Sequence, residues 1–336
     1  MDKKTPSKSE NGYQLLDSGN FMKLEQVGPW RIARPAAQAV WRPRLSENEW
    51  KLVDASFERF KGGDGKWTVH NRKLPAHWPL PCGPVTLNVK LTDFGHLGIF
   101  AEQDRNWPRL LELVESGQNR VTGNAGSTTA STTASNTAST SATAFQVLNL
   151  FAYTGGSSLA CARGGAHVVH VDSSKTSVAW ARENAEISQL AAKPIRWIVE
   201  DVRKFVQREV RRGSKYHGII LDPPTYGRGG NAEIWQIEDH LPPLLDDLEK
   251  ILADDFSFVM LCAHSNGYTP LALKNLVHDM LRPRAKLKCD YFAEEMLVEE
   301  MMILEKGDGT APGNRPGDSA NQRLLPSGAM CLTVRK

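Results

Sequence analysis

Short apolar runs alternate with amphipathic stretches from residue 147 onward, and this alternation restricts the fold more than any other feature. Seven runs have the length and composition of buried strands: 147–150, 168–171, 195–199, 218–221, 256–262, 286–291 and 329–335. Helices are predicted between them, over 157–163, 175–189, 202–211, 241–252 and 270–281. Strands separated by whole helices require crossover connections, which make neighbouring strands parallel. The sequence therefore predicts an α/β fold with a doubly wound, mostly parallel seven-stranded sheet covered on both faces.

The residues before this sheet have a different composition. Residues 1–20 are polar and predict a disordered tail, whereas 21–104 combine aromatic and β-branched side chains with frequent glycine and proline turns. A small N-terminal β-rich domain is therefore expected over 21–104. It is followed by a predicted connecting helix over 105–121, whose apolar residues recur at helical spacing. The large domain is then expected to occupy 145–336.

Residues 122–144 consist only of Thr, Ser, Ala, Asn and Gly. This stretch has no large apolar side chain that could offset the entropy lost when a chain becomes ordered. A flexible loop is predicted there, and a modified or partner-binding segment is the alternative.

Charge and cysteine content restrict the partners and the compartment. The formal net charge of +3 permits an acidic polymer as partner without requiring one. The five cysteines are far apart and lack metal-ligand spacing, which indicates a reduced, metal-free protein. The N-terminus lacks the apolar run of a signal peptide, and no stretch reaches the roughly 20 apolar residues of a membrane span. We therefore expect a cytoplasmic protein without a membrane partner.

Three predicted strands end in residues suited to a nucleotide, and in a parallel sheet the ligand lies beyond such carboxyl ends. The first is followed by Phe151-Ala152-Tyr153-Thr154-Gly155-Gly156, where paired glycines let the backbone approach a ligand closely. The GxGxxG spacing of a dinucleotide site is absent, and a tight strand-to-helix turn is the alternative. The second ends at Asp172-Ser173, where a carboxylate suits the two hydroxyls of a ribose. The third ends at Glu200-Asp201, where an acid suits an adenine amino group. Helix capping is the alternative role for the acids at the second and third strand ends.

A fourth strand is followed by Asp222-Pro223-Pro224-Thr225-Tyr226, the most specific of these motifs. Two prolines fix φ and remove two backbone donors, so the turn should be rigid and should hold Asp222 at the sheet edge. Tyr226 is then available to stack on a planar base. A purely structural loop is the alternative, but the three other ligand-compatible strand ends favour a functional interpretation.

Taken in order, these four motifs resemble the successive motifs of class I S-adenosylmethionine-dependent methyltransferases. Within that superfamily they are most similar to the bacterial large-subunit ribosomal RNA methyltransferases of the cytosine-C5 and guanine-N7 branches. The resemblance is close over 145–265 and extends more weakly to 98–103. It implies a Rossmann-like methyltransferase sheet, S-adenosylmethionine as the methyl donor and ribosomal RNA as the nucleic-acid substrate.

The resemblance also implies roles for individual residues. The turn after the first strand would surround the methionine part of the cofactor, Asp172 would hold the ribose, and Asp201 with Val202 would meet the adenine. The cofactor-binding residues implied in this way are Gln103, Phe151, Tyr153, Thr154, Gly155, Gly156, Asp172, Ser173, Asp201, Val202 and Asp222. The catalytic residues, which would face the methyl group and its acceptor, are Asp222, Pro223, Pro224 and Tyr226.

The chain departs from the cytosine-C5 branch in the loop after the strand at 256–262. Enzymes of that branch need a thiolate to attack the base, but aligning Gly267 with the family's glycine puts Ser265 at the cysteine position. Cys262 then lies inside the strand and is expected to be a core residue. A nitrogen acceptor is therefore favoured, because it has its own lone pair and needs mainly to be positioned. His264 is a candidate base, with a structural histidine as the alternative.

RNA contacts are harder to locate, because the family's N-terminal RNA-binding module is not recognisable before residue 98. Basic runs over 203–215 and 282–288 suit phosphates, and solvated helix faces are the alternative. The segment 228–230 with Trp235 predicts a flexible loop that grips a base or acts as a lid. The sequence thus predicts an enzyme that methylates a base of ribosomal RNA. A methyltransferase of a small molecule or protein, and a non-catalytic RNA-binding or assembly protein of the same fold, are the alternatives.

Overall fold

The computed structural model describes residues 12–60, 64–124, 144–228, 234–285, 296–305 and 323–335. The chain forms two compact units. The first comprises Met1–Asp104 with Glu300–Gly328, and the second comprises Arg105–Glu299 with Ala329–Lys336. Most of the predicted 122–144 loop lies outside the described residues, as do the first eleven residues of the predicted tail.

The first unit is rich in β-structure, as predicted. Its five-stranded sheet has the order β1-β2-β3-β4-β5, and a separate two-stranded sheet pairs β6 with β7. All neighbouring pairs are antiparallel except β3 and β4, which are parallel. The elements are β1 Tyr13–Gly19, β2 Met22–Val27, β3 Trp30–Pro35, α1 Glu47–Trp50, β4 Ala55–Arg59, β5 Gly65–Val69, β6 His77–Cys82 and β7 Val85–Lys90, followed by a 3-10 turn over Ala101–Arg105.

Strand β1 lies inside the segment that the sequence had predicted to be a disordered tail, so that prediction was wrong for residues 13–19. The polar composition of this segment led to a wrong prediction because two polar residues of β1 are buried and hydrogen-bonded. Asp17 accepts the backbone N–H groups of Arg44 and Leu45 and the indole N–H of Trp50. A polar side chain can be buried in a strand when its hydrogen bonds are satisfied in this way.

A buried ionic cluster lies on strands β1 to β3 of the same unit. The guanidinium of Arg34 donates to both oxygens of Glu25, at 2.6 and 2.7 Å, and to the carbonyl of Gly95 at 2.9 Å. The Tyr13 hydroxyl donates to Glu25 at 2.7 Å, and Lys23 lies 3.1 Å from the same carboxylate. Glu25 is fully buried, so its charge is compensated by the two cations rather than by water.

The predicted α/β sheet belongs to the second unit, apart from residues 300–304 and 324–328 of its last two strands. Its seven strands have the order β10-β9-β8-β11-β14-β16-β15, with β8 to β11 and β14 parallel and β16 antiparallel to β14. The doubly wound, mostly parallel seven-stranded sheet is therefore confirmed. Its strands are β8 Gln146–Leu150, β9 His167–Asp172, β10 Ile195–Val199, β11 Gly218–Leu221, β14 Phe258–Ala263, β15 Met296–Leu304 and β16 Leu324–Val334, with a β12 Tyr226–Arg228 and β13 Ile234–Gln236 hairpin beside them.

Six helices connect and cover these strands. Five of them start within four residues of the predicted position: α3 Gly156–Arg163, α4 Lys175–Ile187, α5 Val202–Arg212, α6 Ile237–Ile251 and α7 Pro270–Ala285. Helix α2 Asn106–Asn124 occupies the expected connecting segment. A large apolar core, including Leu148, Phe205 and Leu261, packs between the sheet and the helices.

The last two strands differ from the sequence prediction. The strand expected at 286–291 lies outside the described residues, whereas β15 was not predicted at all. Strand β15 lies at the edge of the sheet, where charged side chains such as the adjacent Glu299 and Glu300 are tolerated. The two glutamates interrupt the apolar alternation from which a strand is predicted. Strand β16 begins five residues earlier than expected, because Pro326 and Gly328, typical loop residues, are part of it.

Candidate functional site

The glycine turn after β8 has an unusual backbone. Phe151, Tyr153 and Gly155 have φ values of +55°, +49° and +88°, so three residues in five occupy the left-handed region. Non-glycine residues adopt this conformation at a cost, and it persists only where surrounding bonds impose it. Here the N–H of Ala152 donates to the carbonyl of Val171 at 3.1 Å, and that of Gly155 to the carbonyl of Ala152 at 3.0 Å. Strain of this kind is common in ligand-binding turns.

Close packing explains both glycines of the turn. A Cβ at Gly155 would lie 3.0 Å from the Cβ of Ala181 on α4, and a Cβ at Gly156 would lie 2.7 Å from the Trp107 ring. The buried side chain of Asn184, also on α4, donates to the carbonyl of Thr154 at 2.8 Å. The tight-turn interpretation of the glycine pair is therefore correct, and it is compatible with a ligand on the open side of the turn.

Two buried polar contacts beneath the turn were missed by sequence reasoning. Asn149 of β8 donates to the hydroxyl of Ser158 at 2.8 Å, and this hydroxyl lies 3.0 Å from Nδ1 of His170 on β9. Burial lowers the pKa of His170 to about 3, so the imidazole is neutral. A polar residue inside an apolar strand run, as at Asn149 and His170, is the signal that could have identified this link between β8, α3 and β9.

Asp172 lies at the carboxyl end of β9, directly beside the glycine turn. Its Oδ2 accepts the backbone N–H of Tyr153 and its Oδ1 that of Ser174, both at 2.8 Å. Burial raises the pKa of the carboxyl, and the two backbone bonds offset this only in part. Asp172 does not cap α4, because Ser174 is the N-cap and accepts the N–H of Ser177. The exposed Ser173 lies between them.

Asp201 ends the connection after β10 and caps helix α5. Its carboxylate accepts the N–H groups of Arg203 and Lys204 and lies 3.1 Å from the Arg203 guanidinium. Burial raises the pKa of Asp201, but the bonds from Arg203 and Lys204 outweigh burial, and the pKa lies below its ordinary value. The capping interpretation is thus correct for this acid. Val202, the first residue of α5, is buried in the core.

The Pro-Pro turn after β11 is held by three hydrogen bonds. The indole N–H of Trp235 donates to the carbonyl of Pro224 at 2.7 Å, and the N–H of Ile237 donates to the carbonyl of Thr225 at 3.1 Å. The Thr225 hydroxyl lies 2.6 Å from that of Ser265, in the loop after β14. Pro223 is buried and Pro224 exposed. These bonds restrain the turn in addition to its two prolines, whose predicted rigidity stays a prediction.

Tyr226 and Trp235 lie on the two strands of the β12–β13 hairpin, where the sequence had predicted a flexible loop. Residues 229–233 between the strands lie outside the described residues. Trp235 is buried against the ring of Phe151, with ring centroids 4.7 Å apart, so the prediction that it could grip a base was wrong. Tyr226 is 47% exposed, and its hydroxyl accepts a bond from Nε of Arg228 at 3.0 Å.

Asp222 and His264 come together at the ends of two neighbouring parallel strands, β11 and β14. Nε2 of His264 lies 3.3 Å from Oδ1 of Asp222, and the two side chains are 28% and 25% exposed. Cys262, two residues earlier on β14, is buried, which confirms its predicted core position. Ser265 is also buried and engaged with Thr225.

The first predicted basic run is largely paired with acids. Arg208 makes a bidentate contact with Glu200 at 2.6 Å, and Arg212 lies 2.9 Å from Glu209. With the Asp201–Arg203 pair, these contacts neutralise half of the six cations that the sequence suggested for phosphates. The second run falls mostly outside the residues whose side chains are described.

Gln103 is buried in the 3-10 turn of the first unit, and its predicted contact with the cofactor stays a prediction. An open cavity of about 620 Å³ lies at the opposite, amino-terminal edge of the main sheet, lined by residues such as Gln146, His167 and Ile195. We do not identify this cavity with the site, because ligands of open parallel sheets bind at the carboxyl edge. Within the described residues, no cluster of three or more His, Cys, Asp or Glu could hold a metal. No described helix is long and apolar enough to cross a membrane.

Comparison with known proteins identifies the family of the chain. The sequence profile of the S-adenosylmethionine-dependent methyltransferases matches residues 114–258. The crystal structure of a SAM-dependent methyltransferase from Agrobacterium tumefaciens is 35% identical, with a TM-score of 0.78, over 98% of this chain and 92% of that one.

Two curated relatives match over shorter segments. Ribosomal RNA large subunit methyltransferase I of Aeromonas salmonicida is 41% identical over 85 residues, 25% of this chain and 22% of the relative. Ribosomal RNA large subunit methyltransferase K/L of Shewanella sp. strain ANA-3 is 37% identical over 90 residues, 26% of this chain and 13% of the relative. The chain thus spans less than a quarter of the length of either relative. The match to the Agrobacterium protein extends over nearly the whole chain, and the chain therefore belongs to the family of S-adenosylmethionine-dependent methyltransferases.

Proposed function

We propose that this protein transfers the methyl group of S-adenosylmethionine to a base of ribosomal RNA. The proposal rests on the groups that follow four strands along one edge of the sheet. These groups are the glycine turn after β8, Asp172 after β9, Asp201 after β10 and Asp222 after β11. Because β8 to β11 are parallel, these groups lie at the same edge of the sheet.

The cofactor would occupy the edge formed by β8, β9 and β10. Asp172 uses one backbone N–H on each carboxylate oxygen, and an ionised carboxylate has about four acceptor sites, so it retains capacity for ribose hydroxyls. The left-handed turn at 151–155 would border the methionine part, while Asp201 and Val202 would border the adenine. Bound there, the cofactor supplies a methyl group on a positively charged sulfur.

The acceptor would lie beyond β11 and β14. Pro224 is bonded to Trp235 and Thr225 to Ser265, and these bonds restrain the turn that begins at Asp222. Tyr226 is half exposed and offers a ring on which a base can stack. The two curated relatives are large-subunit ribosomal RNA methyltransferases, which supports ribosomal RNA as the substrate class. Such a substrate would place the protein in the cytoplasm.

Incubation of the purified protein with radiolabelled S-adenosylmethionine and protein-free ribosomal RNA tests the proposal. We expect label in the RNA with the wild-type protein and none with Asp222→Ala, while S-adenosylhomocysteine binding persists in that variant. Parallel reactions contain a metabolite extract and a protein extract. Label in either of these, with unlabelled RNA, would contradict the RNA substrate.

A further inference from the structure

The Asp222–His264 pair lies at the part of the sheet edge where the acceptor would bind. Asp222 follows β11 and His264 follows β14, which is the next strand away from the cofactor half of the edge. Nε2 of His264 and Oδ1 of Asp222 are 3.3 Å apart, and about a quarter of each side chain is exposed. A substrate entering this edge could therefore reach the imidazole.

We propose that His264, oriented by Asp222, accepts a proton from the methyl acceptor, and that the acceptor is consequently a base nitrogen that carries hydrogen. A ring imide or an exocyclic amine of an RNA base has this chemistry. The inference rests on the proposed function and narrows it to a class of acceptor atom.

A hydrogen bond close to the pair joins the two loops that contain it. Asp222 and Thr225 belong to the Pro-Pro turn, while His264 and Ser265 belong to the loop after β14. The Thr225 and Ser265 hydroxyls lie 2.6 Å apart, and Ser265 is buried. This bond joins the two loops that present Asp222 and His264, and so restrains their separation. Such constraint is what a proton-transferring group requires, since a small misplacement slows the reaction greatly.

The orientation of the imidazole determines which ring nitrogen of His264 accepts the proton. In the tautomer of His264 that carries its proton on Nε2, this proton would face Oδ1 of Asp222, 3.3 Å from Nε2, and the lone pair would be on Nδ1. Asp222 would also stabilise the imidazolium that forms when Nδ1 takes a proton. Asp222 thus acts as the orienting group and His264 as the base.

The proposed step balances as follows. The lone pair of the acceptor nitrogen forms an N–C bond to the methyl carbon, and the C–S bond breaks with its electron pair remaining on sulfur. The proton of the nitrogen passes to Nδ1 of His264 and is later released to water. A purine N7 has no proton to lose, and a cytosine C5 requires a thiolate, for which the buried Cys262 is unsuited. The pair therefore favours an N–H acceptor over both.

The test compares His264→Gln with a matched control, His278→Gln. His278 is partly exposed on α7 and also has an aspartate neighbour, with its Nδ1 4.0 Å from Asp279. We expect His264→Gln to lower the single-turnover rate of RNA methylation about 100-fold, the usual contribution of a general base. The RNA concentration for half-maximal rate, the calorimetric affinity for S-adenosylhomocysteine and the unfolding temperature should not change. His278→Gln should match the wild type in all four measurements.

Mass spectrometry of the methylated nucleoside completes the test. A methyl group on a nitrogen that bears hydrogen in the unmodified base is expected. An undiminished rate in His264→Gln, or a methyl group on a purine N7 or a pyrimidine carbon, would overturn the inference while the proposed function stands. If the wild-type protein leaves RNA unlabelled, the proposed function itself fails, and the inference with it.

Discussion

The carboxylate of Asp172 accepts the backbone N–H of Tyr153 at 2.8 Å and so ties the carboxyl end of β9 to the glycine turn after β8. Its other oxygen accepts the N–H of Ser174 at 2.8 Å, at the start of α4. One side chain thus shapes both backbone segments that would surround the cofactor. The residue proposed to hold the ribose also builds the turn that is proposed to accommodate the methionine part.

Replacing Asp172 should therefore weaken cofactor binding through two effects. Asp172→Ala removes the proposed ribose acceptor and leaves the N–H groups of Tyr153 and Ser174 without their carboxylate. Hydrogen bonds to charged groups contribute about 1.5–3 kcal/mol, so the calorimetric Kd for S-adenosylhomocysteine should rise at least tenfold. The exposed Asp239→Ala on α6 is the control and should bind normally. Equal affinities in the two variants would mean that Asp172 has no part in the cofactor site.

Gly155 and Gly213 make a matched pair for testing the glycine turn. Both have left-handed φ values, +88° and +65°, but a Cβ at Gly155 would lie 3.0 Å from Ala181, whereas a Cβ at Gly213 meets nothing within 4 Å. Gly213→Ala should cost only the conformational penalty of about 1–2 kcal/mol in urea unfolding. Gly155→Ala should cost more and should also weaken S-adenosylhomocysteine binding. Similar losses of stability in the two variants, with unaltered S-adenosylhomocysteine binding, would show that the turn accommodates a Cβ at Gly155.

Cys262 should be dispensable for chemistry. The thiol is buried in β14, so Cys262→Ala should retain methyl transfer and lose about 1 kcal/mol of unfolding free energy through the missing volume. Rates of label transfer and urea denaturation measure the two effects separately. A variant that folds normally but is inactive would indicate a thiolate mechanism and a carbon acceptor.

Acid should destabilise the first unit through Glu25. Burial raises the pKa of this carboxyl, but the Arg34 and Lys23 charges outweigh burial and hold it at about 2, below the ordinary value of 4.5. Because the folded-state pKa is the lower one, the carboxylate's stabilisation is complete above about pH 4.5 and is lost as the pH falls towards 2.

Glu25→Gln leaves two buried cations uncompensated and should cost about 3–5 kcal/mol at pH 7. Urea unfolding at pH 7 and pH 3 should show a smaller difference from the wild type at the lower pH. The exposed Glu58→Gln on β4 should have little effect at either pH. A difference that is constant with pH would exclude the ionised Glu25 as its source.

The parts of the fold that follow a regular apolar pattern could be predicted from the sequence. The strands from β8 to β11 lie within one residue of their predicted bounds, because buried parallel strands are continuous apolar runs. Strands β1 and β15 could not be predicted, since one buries hydrogen-bonded polar residues and the other is an edge strand with two adjacent glutamates. A local pattern of apolar residues contains no information about contact partners that are distant in the sequence.

The candidate site was predictable in its strand-end acids and turns but not in its supporting contacts. The sequence indicates Asp172 and Asp222 because they end apolar strands. It does not show that Asn184 holds the Thr154 carbonyl, that Trp235 is buried against Phe151, or that His264 meets Asp222. These contacts join separate elements, and only the folded chain brings them together.

The most direct test of the account is mass spectrometry of nucleosides from ribosomal RNA of cells that lack the gene. These cells are complemented with either the wild-type protein or Asp222→Ala. We predict that one methylated nucleoside is missing in the deletion strain, returns with the wild-type protein and stays missing with Asp222→Ala. Identical nucleoside profiles in all three strains would contradict the central claim that this protein methylates ribosomal RNA.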